Sequence, residues 1–396
     1  MKKILLSMAA MATVSMAAED VISPNERIAE VKSTTPVPVV EKSFLDRIHF
    51  KGDLRIRYES KEYEYYDGTN HGDYLGRYRL RLGANIDITD NLHFDIGMRS
   101  GKGNPTSGNQ TFVEDNKDAK ALSDYFFQSL RFHVLGITYT SGNSTWKVGR
   151  QEYMMYRPIR SQLVWDNDIS MNGVNYQYKD DTKMITVGIN QPTYAENVTA
   201  TDDVNLFLAQ YVQKTKLESS TLNLGAGFYY YDGIKGNTAF YDSGRLGNTV
   251  VDVDGVDVYA NDYHIVEGFG ELKFKNVLGK PFAIAAGVAY NTAADENNFG
   301  YDLAFKLGKT KNIGDWQVKY SYTDIEEDAV LGAHSDSDNF GGGTAAKGHA
   351  IRTQYKFGKN TYLAGTYFIN TRYASKDDLA GDTDYERVQL DAIIKF

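Results

Sequence analysis

The sequence predicts an all-β protein: a closed antiparallel transmembrane β-barrel of about sixteen strands, with short periplasmic turns and long extracellular loops. Three observations predict it. Apolar and polar residues alternate with period two in segment after segment of the 396 residues. Short turns and long polar loops alternate between those segments. The last stretch, 384–396, reads as a closing strand. Val388, Leu390, Ala392, Ile394 and Phe396 alternate there with Arg387, Gln389, Asp391 and Lys395, and Ile393 is the one apolar residue on the second face. A closing strand must pair with the first strand, which makes a ring.

The alternation begins at Arg47. In 49–59, Phe50, Leu54, Ile56 and Tyr58 fall on one face, and Lys51, Asp53, Arg55, Arg57 and Glu59 on the other. In 76–89, Tyr78, Leu80, Leu82, Ile86 and Ile88 oppose Arg77, Arg79, Arg81, Asn85 and Asp87. After an Asp90-Asn91 turn, Leu92, Phe94, Ile96 and Met98 oppose His93, Asp95 and Arg99. Similar runs follow to the terminus. The barrel portion is about 350 residues, or roughly 22 per strand plus connection, which suits tilted strands of about ten residues. Expected short turns include 180–181, 276–279 and 358–360. Expected long loops are 60–73, 101–123, 154–169, 191–203, 232–262, 291–298, 324–347 and 374–384. These are acidic and rich in Gly and Asn, and they read as solvated exterior loops.

Residues 1–17 read as a signal peptide: Lys2 and Lys3, a mostly apolar run, then Ser15-Met16-Ala17 at the cleavage positions. Residues 18–46 are polar, contain Pro24, Pro36 and Pro38, and read as a flexible periplasmic extension. The barrel domain is expected over 47–396. Beyond the signal peptide no apolar run is long enough for a membrane helix. Mean hydropathy is −0.46, as expected when half of each strand faces water. A formal charge of −9 argues against a nucleic-acid partner. The seven histidines are scattered without metal-ligand spacing, so no metal and no cofactor are expected. No local motif joins a nucleophile to a histidine, so the chain does not read as an enzyme.

Four blocks carry a specific resemblance: 76–112, 159–168, 297–349 and the terminal DYERVQLDAIIKF. In this order they resemble the putative porin family of Gram-negative outer membranes, with a general-porin-like barrel over about 47–396. The resemblance implies an outer-membrane channel and says little about the solute. Trimers are common among general porins, so a homotrimer is the analogous expectation. Outer-membrane lipid and lipopolysaccharide would surround the barrel. The final aromatic of such barrels is read by the assembly machinery, which gives Phe396 that role.

A barrel of this size leaves a water-filled lumen unless loops fill it. Charges that narrow it then set selectivity. Arg55, Arg57, Arg77, Arg79, Arg81 and Arg99 alternate inward on three adjacent strands beside Arg387 of the closing strand. They read either as a basic pore wall or as partners of the inward acids Asp53, Glu59, Asp87 and Asp95. The third long loop carries Met154, Met155, Tyr156, Leu163, Val164 and Trp165, which fit poorly in water. It is expected to fold into the barrel and bring Arg157, Arg160, Asp166 and Asp168 to a constriction, or else to cap the rim. The expected function is passive diffusion of small hydrophilic solutes and ions. The alternatives are a substrate-specific channel and a non-conducting barrel that displays surface loops.

Overall fold

Strand alternation closes the chain into a ring. The computed structural model describes residues 43–101, 106–112, 130–192, 204–240 and 244–396. The expected signal peptide and nearly all of the expected extension lie outside the described residues. Strands β1 (Ile48–Glu64), β2 (Asn70–Asp87) and β3 (Leu92–Ser100) come first. A two-residue β4 (Gln110–Thr111) extends the edge of β2. Then follow β5 (Leu130–Ser141), β6 (Ser144–Glu152), β7 (Ser170–Lys179), β8 (Lys183–Gln191), β9 (Asn205–Lys216) and β10 (Ser220–Asp232). A separate hairpin, β11 (Val250–Val253) and β12 (Val256–Tyr259), stands in the next loop. The remaining wall is β13 (His264–Val277), β14 (Lys280–Asn291), β15 (Phe299–Gly308), β16 (Trp316–Ile325), β17 (Ala346–Lys356), β18 (Thr361–Arg372) and β19 (Thr383–Lys395). Apart from β4 and the hairpin these are sixteen strands, each antiparallel to its neighbours, and β1 pairs with both β2 and β19. The expected closure is therefore observed, with Tyr58 opposite Leu390.

Period two decides which side chains meet lipid. Leu135, Ile137 and Tyr139 on β5, and Val187 and Ile189 on β8, are all more than 40% exposed. Around a whole barrel such exposure exceeds any patch a soluble monomer carries, and it is the lipid-facing belt. Tyr58 and Trp146 lie on it, as the sequence parity requires.

The long loops, numbered L1 to L8 in chain order, emerge opposite the short turns. L1 is only 65–69, because β1 and β2 run farther than the expected 60–73 loop allowed; their cross-strand ladder continues to Glu64 and Asn70. Much of L2 and L4 lies outside the described residues. The main buried apolar cluster is formed by L3 (153–169), L5 (233–263) and L7 (326–345) against β7, β9, β10, β13 and β14. Leu206 and Leu208 on β9 and Tyr229 and Tyr231 on β10 face this cluster. There both strand faces are apolar, one toward lipid and one toward the inserted loops. L7 departs from expectation. Its apolar run 329–333 is buried and it is no solvated exterior loop. Gly342 and Gly343 are buried too, and φ values of 77, 103 and 81° at the glycines 341–343 turn L7 back on itself.

Candidate functional site

The inward arginines arise directly from strand register. Arg55 stands opposite Arg79, Arg57 opposite Arg77, and Arg81 opposite Arg99. Like charges directly across a ladder repel. Carboxylates interleaved among them offset this. Arg57 grips Asp391 with two bonds, at 2.6 and 2.9 Å. Glu59, fully buried, lies 2.6 Å from Arg387 and 3.1 Å from Arg77. Asp53 accepts from Arg79 at 3.0 Å and Arg81 at 2.6 Å. Two expected partners serve elsewhere: Asp87 binds His49 and His93, and Asp95 binds Asn85, Thr138 and Gln151.

L3 enters the lumen, as its apolar residues suggested. Its start is held by Tyr156 N donating to Gln210 at 2.6 Å. Its tip is held by Ile159 N donating to Glu271 and Ser161 Oγ donating to Asp302. Ile159 and Arg160 have φ of 46 and 57°, a left-handed turn that costs a β-branched residue on the order of 1–3 kcal/mol. That turn presents Arg160, exposed, to the lumen. Arg157 has a different place: it donates to Trp165 O at 2.8 Å and lies over the Tyr153 ring, so it braces L3 internally.

The loop acids do not face the arginines across an opening. Asp168 closes directly onto Arg79 at 2.9 Å and Arg81 at 3.1 Å, and Arg99 donates to its carbonyl. Burial alone would raise the Asp168 carboxyl, but Arg79, Arg81, Arg55 and Arg99 hold it well below the usual carboxylate range. Asp166 sits in the joint between L3 and L7. Its N–H donates to His334 O at 2.8 Å, and its carboxylate accepts from Ser337 N at 2.9 Å. Burial, then the negative charge of Asp168 and Asp336, pushes the Asp166 carboxyl up.

L7 supplies residues that the sequence reading assigned to solvent. Asp338 accepts from Arg387 at 2.9 Å and Gln389 at 3.1 Å and lies 3.4 Å from Arg57. Its carboxyl stays well below its ordinary value, because Arg387, Arg57 and Arg55 outweigh burial. Asp336 accepts from Gln162 at 2.7 Å and Arg352 at 3.2 Å. L5 clamps L7 through Asn248, which bonds Val330 O and Gly332 N, and Tyr263, which donates to Asp328 at 2.6 Å. Asp336 and Asp338 are thus committed to arginines. No group of metal ligands occurs among the described residues. The overlooked signal was the apolar run 329–333 inside an otherwise acidic loop.

What the loops leave free is a cavity of about 280 Å³ against β1, β2 and β15 to β19. Of the expected site residues, Arg55, Arg57, Arg79, Arg160, Asp166 and Asp168 line it. Arg77, Arg81, Arg99, Arg157 and Arg387 do not, being engaged behind or beside it. Three lining cations were missed: Lys306, Lys319 and Arg352. Register sets Lys306 opposite Lys319 and Lys319 opposite Arg352, a basic row across β15, β16 and β17. The alternation of those strands held that signal, but each carries only one such cation.

Comparison with known proteins settles the family. The model of the family described as "Putative porin" matches residues 65–255 and 259–396. The chain belongs to that family. In fold the porin is similar to OprB of Pseudomonas putida, at 12% identity and a TM-score of 0.55, over 89% of this chain and 95% of that one. It is also similar to OmpF of Salmonella typhi, solved in complex with daunomycin, at 12% identity and a TM-score of 0.50, over 88% and 97%. No curated protein matches the chain. The porin is an outer-membrane channel.

Proposed function

We propose that this porin is a passive diffusion channel for small hydrophilic solutes that favours anions, with its narrow zone at the cavity between the inserted loops and the β15–β19 and β1–β2 wall. The observation that carries this reading is the lining charge. Seven cations, including Arg160, Lys306 and Lys319, share the cavity with four carboxylates: Asp166, Asp168, Asp338 and Asp391. Asp168, Asp338 and Asp391 are held by arginines, and Asp166 is pushed toward its neutral form. Confined positive charge of this kind admits anions ahead of cations. No bond is made or broken in the protein's work; a solute crosses by electrodiffusion. Arg157 and Asp166 act as supports of the loops and Arg160 as the exposed charge of L3. The mature barrel lies in outer-membrane lipid and lipopolysaccharide after removal of residues 1–17, is inserted by the barrel assembly machinery through Phe396, and forms a homotrimer. Planar-bilayer recording tests the reading. Under a potassium chloride gradient the reversal potential takes the sign of chloride preference; no conductance, or a cation preference, contradicts it.

A further inference from the structure

The lining cations are not spread evenly. Arg55, on β1, is poorly compensated: one nitrogen donates to the Asn109 amide oxygen, another is 3.8 Å from Asp391, and its buried Nε has no partner. On the other side stand Arg160, Lys306 and Lys319. Among the described residues no carboxylate lies within ion-pair distance of any of the three, and Lys319 donates only to the carbonyl of Arg160, at 3.2 Å. From β1 to β16 the wall runs through β19, β18 and β17, four steps or roughly 19 Å of arc at about 4.8 Å per strand. Between the two poles the cavity is lined by polar side chains such as Thr366 and Gln389, and by two charges already paired, Arg352 with Asp336 and Asp391 with Arg57.

Two cationic poles facing one small cavity, joined by a floor of polar side chains and paired charges, match one ligand shape. We infer that the cavity is a binding site for small organic dianions with two separated carboxylates, one at Arg55 and the other at the Arg160, Lys306 and Lys319 cluster. The site deepens the anion-channel reading and rests on it. Such a solute meets counter-charge at both ends, whereas a monocarboxylate or a compact oxyanion satisfies one pole and leaves the other bare. The strained turn at Ile159 and Arg160 fits a built site, because backbone strain persists where surroundings over-determine it.

Calorimetric titration of the full-length porin in detergent tests this without any need for conduction. Potassium succinate, acetate and phosphate serve as probes at low salt. Saturable succinate binding is expected, at least tenfold tighter than acetate or phosphate and weakened by added potassium chloride. Lys306→Gln and Arg160→Gln each weaken succinate at least fivefold, while Arg160→Lys recovers most of the loss. Lys306 makes no hydrogen bond or ion pair among the described residues, so its variant tests the site without threatening the fold. Absence of saturable succinate binding, equal affinity for acetate or phosphate, or an unchanged Lys306→Gln variant would overturn the site. Bilayer recording on the same preparations separates the two claims: anion-preferring conductance without succinate binding removes the site and keeps the channel reading.

Discussion

The two sides of the cavity differ in how their positive charge is held. The β1–β3 and β19 side concentrates seven arginines, but Asp53, Glu59, Asp168, Asp338 and Asp391 lie among them within ion-pair distance. The β15–β17 side has fewer cations, and Lys306, Lys319 and the nearby Arg160 of L3 have no such partners. Density of charge in sequence therefore does not give the field in the pore. The paired side also regulates itself. If an arginine is removed, the carboxylate it held loses the interaction that kept it ionised and moves toward taking a proton. The other side has no carboxylate within ion-pair distance of Lys306, Lys319 or Arg160, so loss of a cation there is offset less.

The largest effect is expected where the paired side is broken from within. Glu59 is fully buried and lies within 4 Å of Arg77, Arg387 and Arg57. Glu59→Ala strands those cations and should cost about 3–5 kcal/mol, since removal of one partner leaves buried charge uncompensated. Urea unfolding in lipid vesicles reads this as a lower midpoint; an unchanged midpoint means the arginines reach water.

Next comes the packing that inserts the loops. Trp165, 1% exposed, meets Tyr229 edge-on at 4.9 Å and stacks near His334. Trp165→Ala should cost about 3–5 kcal/mol at the L3–L7 joint. Conductance should rise and become noisier as the loops loosen. A steady, unaltered conductance would mean that L3 does not limit the path.

Acid should act on the two kinds of loop carboxyl with opposite sign. The folded Asp166 carboxyl lies above the usual value of about 3.9, so its contribution grows as pH falls from neutral toward that value. Asp168 and Asp338 lie below it, so their stabilisation persists above about 3.9 and is lost as pH falls through their folded values. Burial holds His334 down to about 3, so it stays neutral through the first range. Protection of the Ser337 amide, with the intrinsic pH dependence of exchange divided out, should therefore rise from pH 7 to about 4 and fall below it. Asp166→Asn removes the first arm. A monotonic loosening with acid would contradict the sign for Asp166.

The smallest effect belongs to an exposed pair at the periplasmic turns. Lys216 and Asp181, 2.9 Å apart with side chains 64% and 84% exposed, should contribute little, because solvent and salt screen an exposed pair. Lys216→Gln should leave the reversal potential where it is, and so serves as the control.

Much of this was legible in the sequence because the membrane imposes a simple code. Period two placed Arg55, Arg57, Arg79 and Glu59 inward and Tyr58 outward, and the apolar residues of 154–165 announced an inserted loop. Pairing within the arginine set was legible only as an alternative, since alternation gives the face of a residue but not its partner across register. L7 was misread because its acids dominate its composition, while its function depends on five apolar residues at 329–333 and three glycines at 341–343. Lys306, Lys319 and Arg352 went unnoticed because no strand of the three carries a cluster like that of β2, and only the cross-strand register sets them side by side.

The most direct test compares two triple variants in planar bilayers under the same potassium chloride gradient: Arg160→Gln, Lys306→Gln and Lys319→Gln together, against Arg77→Gln, Arg79→Gln and Arg81→Gln together. Both remove three formal charges. The first should shift the reversal potential toward potassium by the larger amount. The second should shift it less, and less still at pH 5, as Asp168 takes up a proton once Arg79 and Arg81 no longer hold it. Equal shifts, or a larger and pH-independent shift for the arginine-wall variant, would contradict the claim that the unpaired cations set the field.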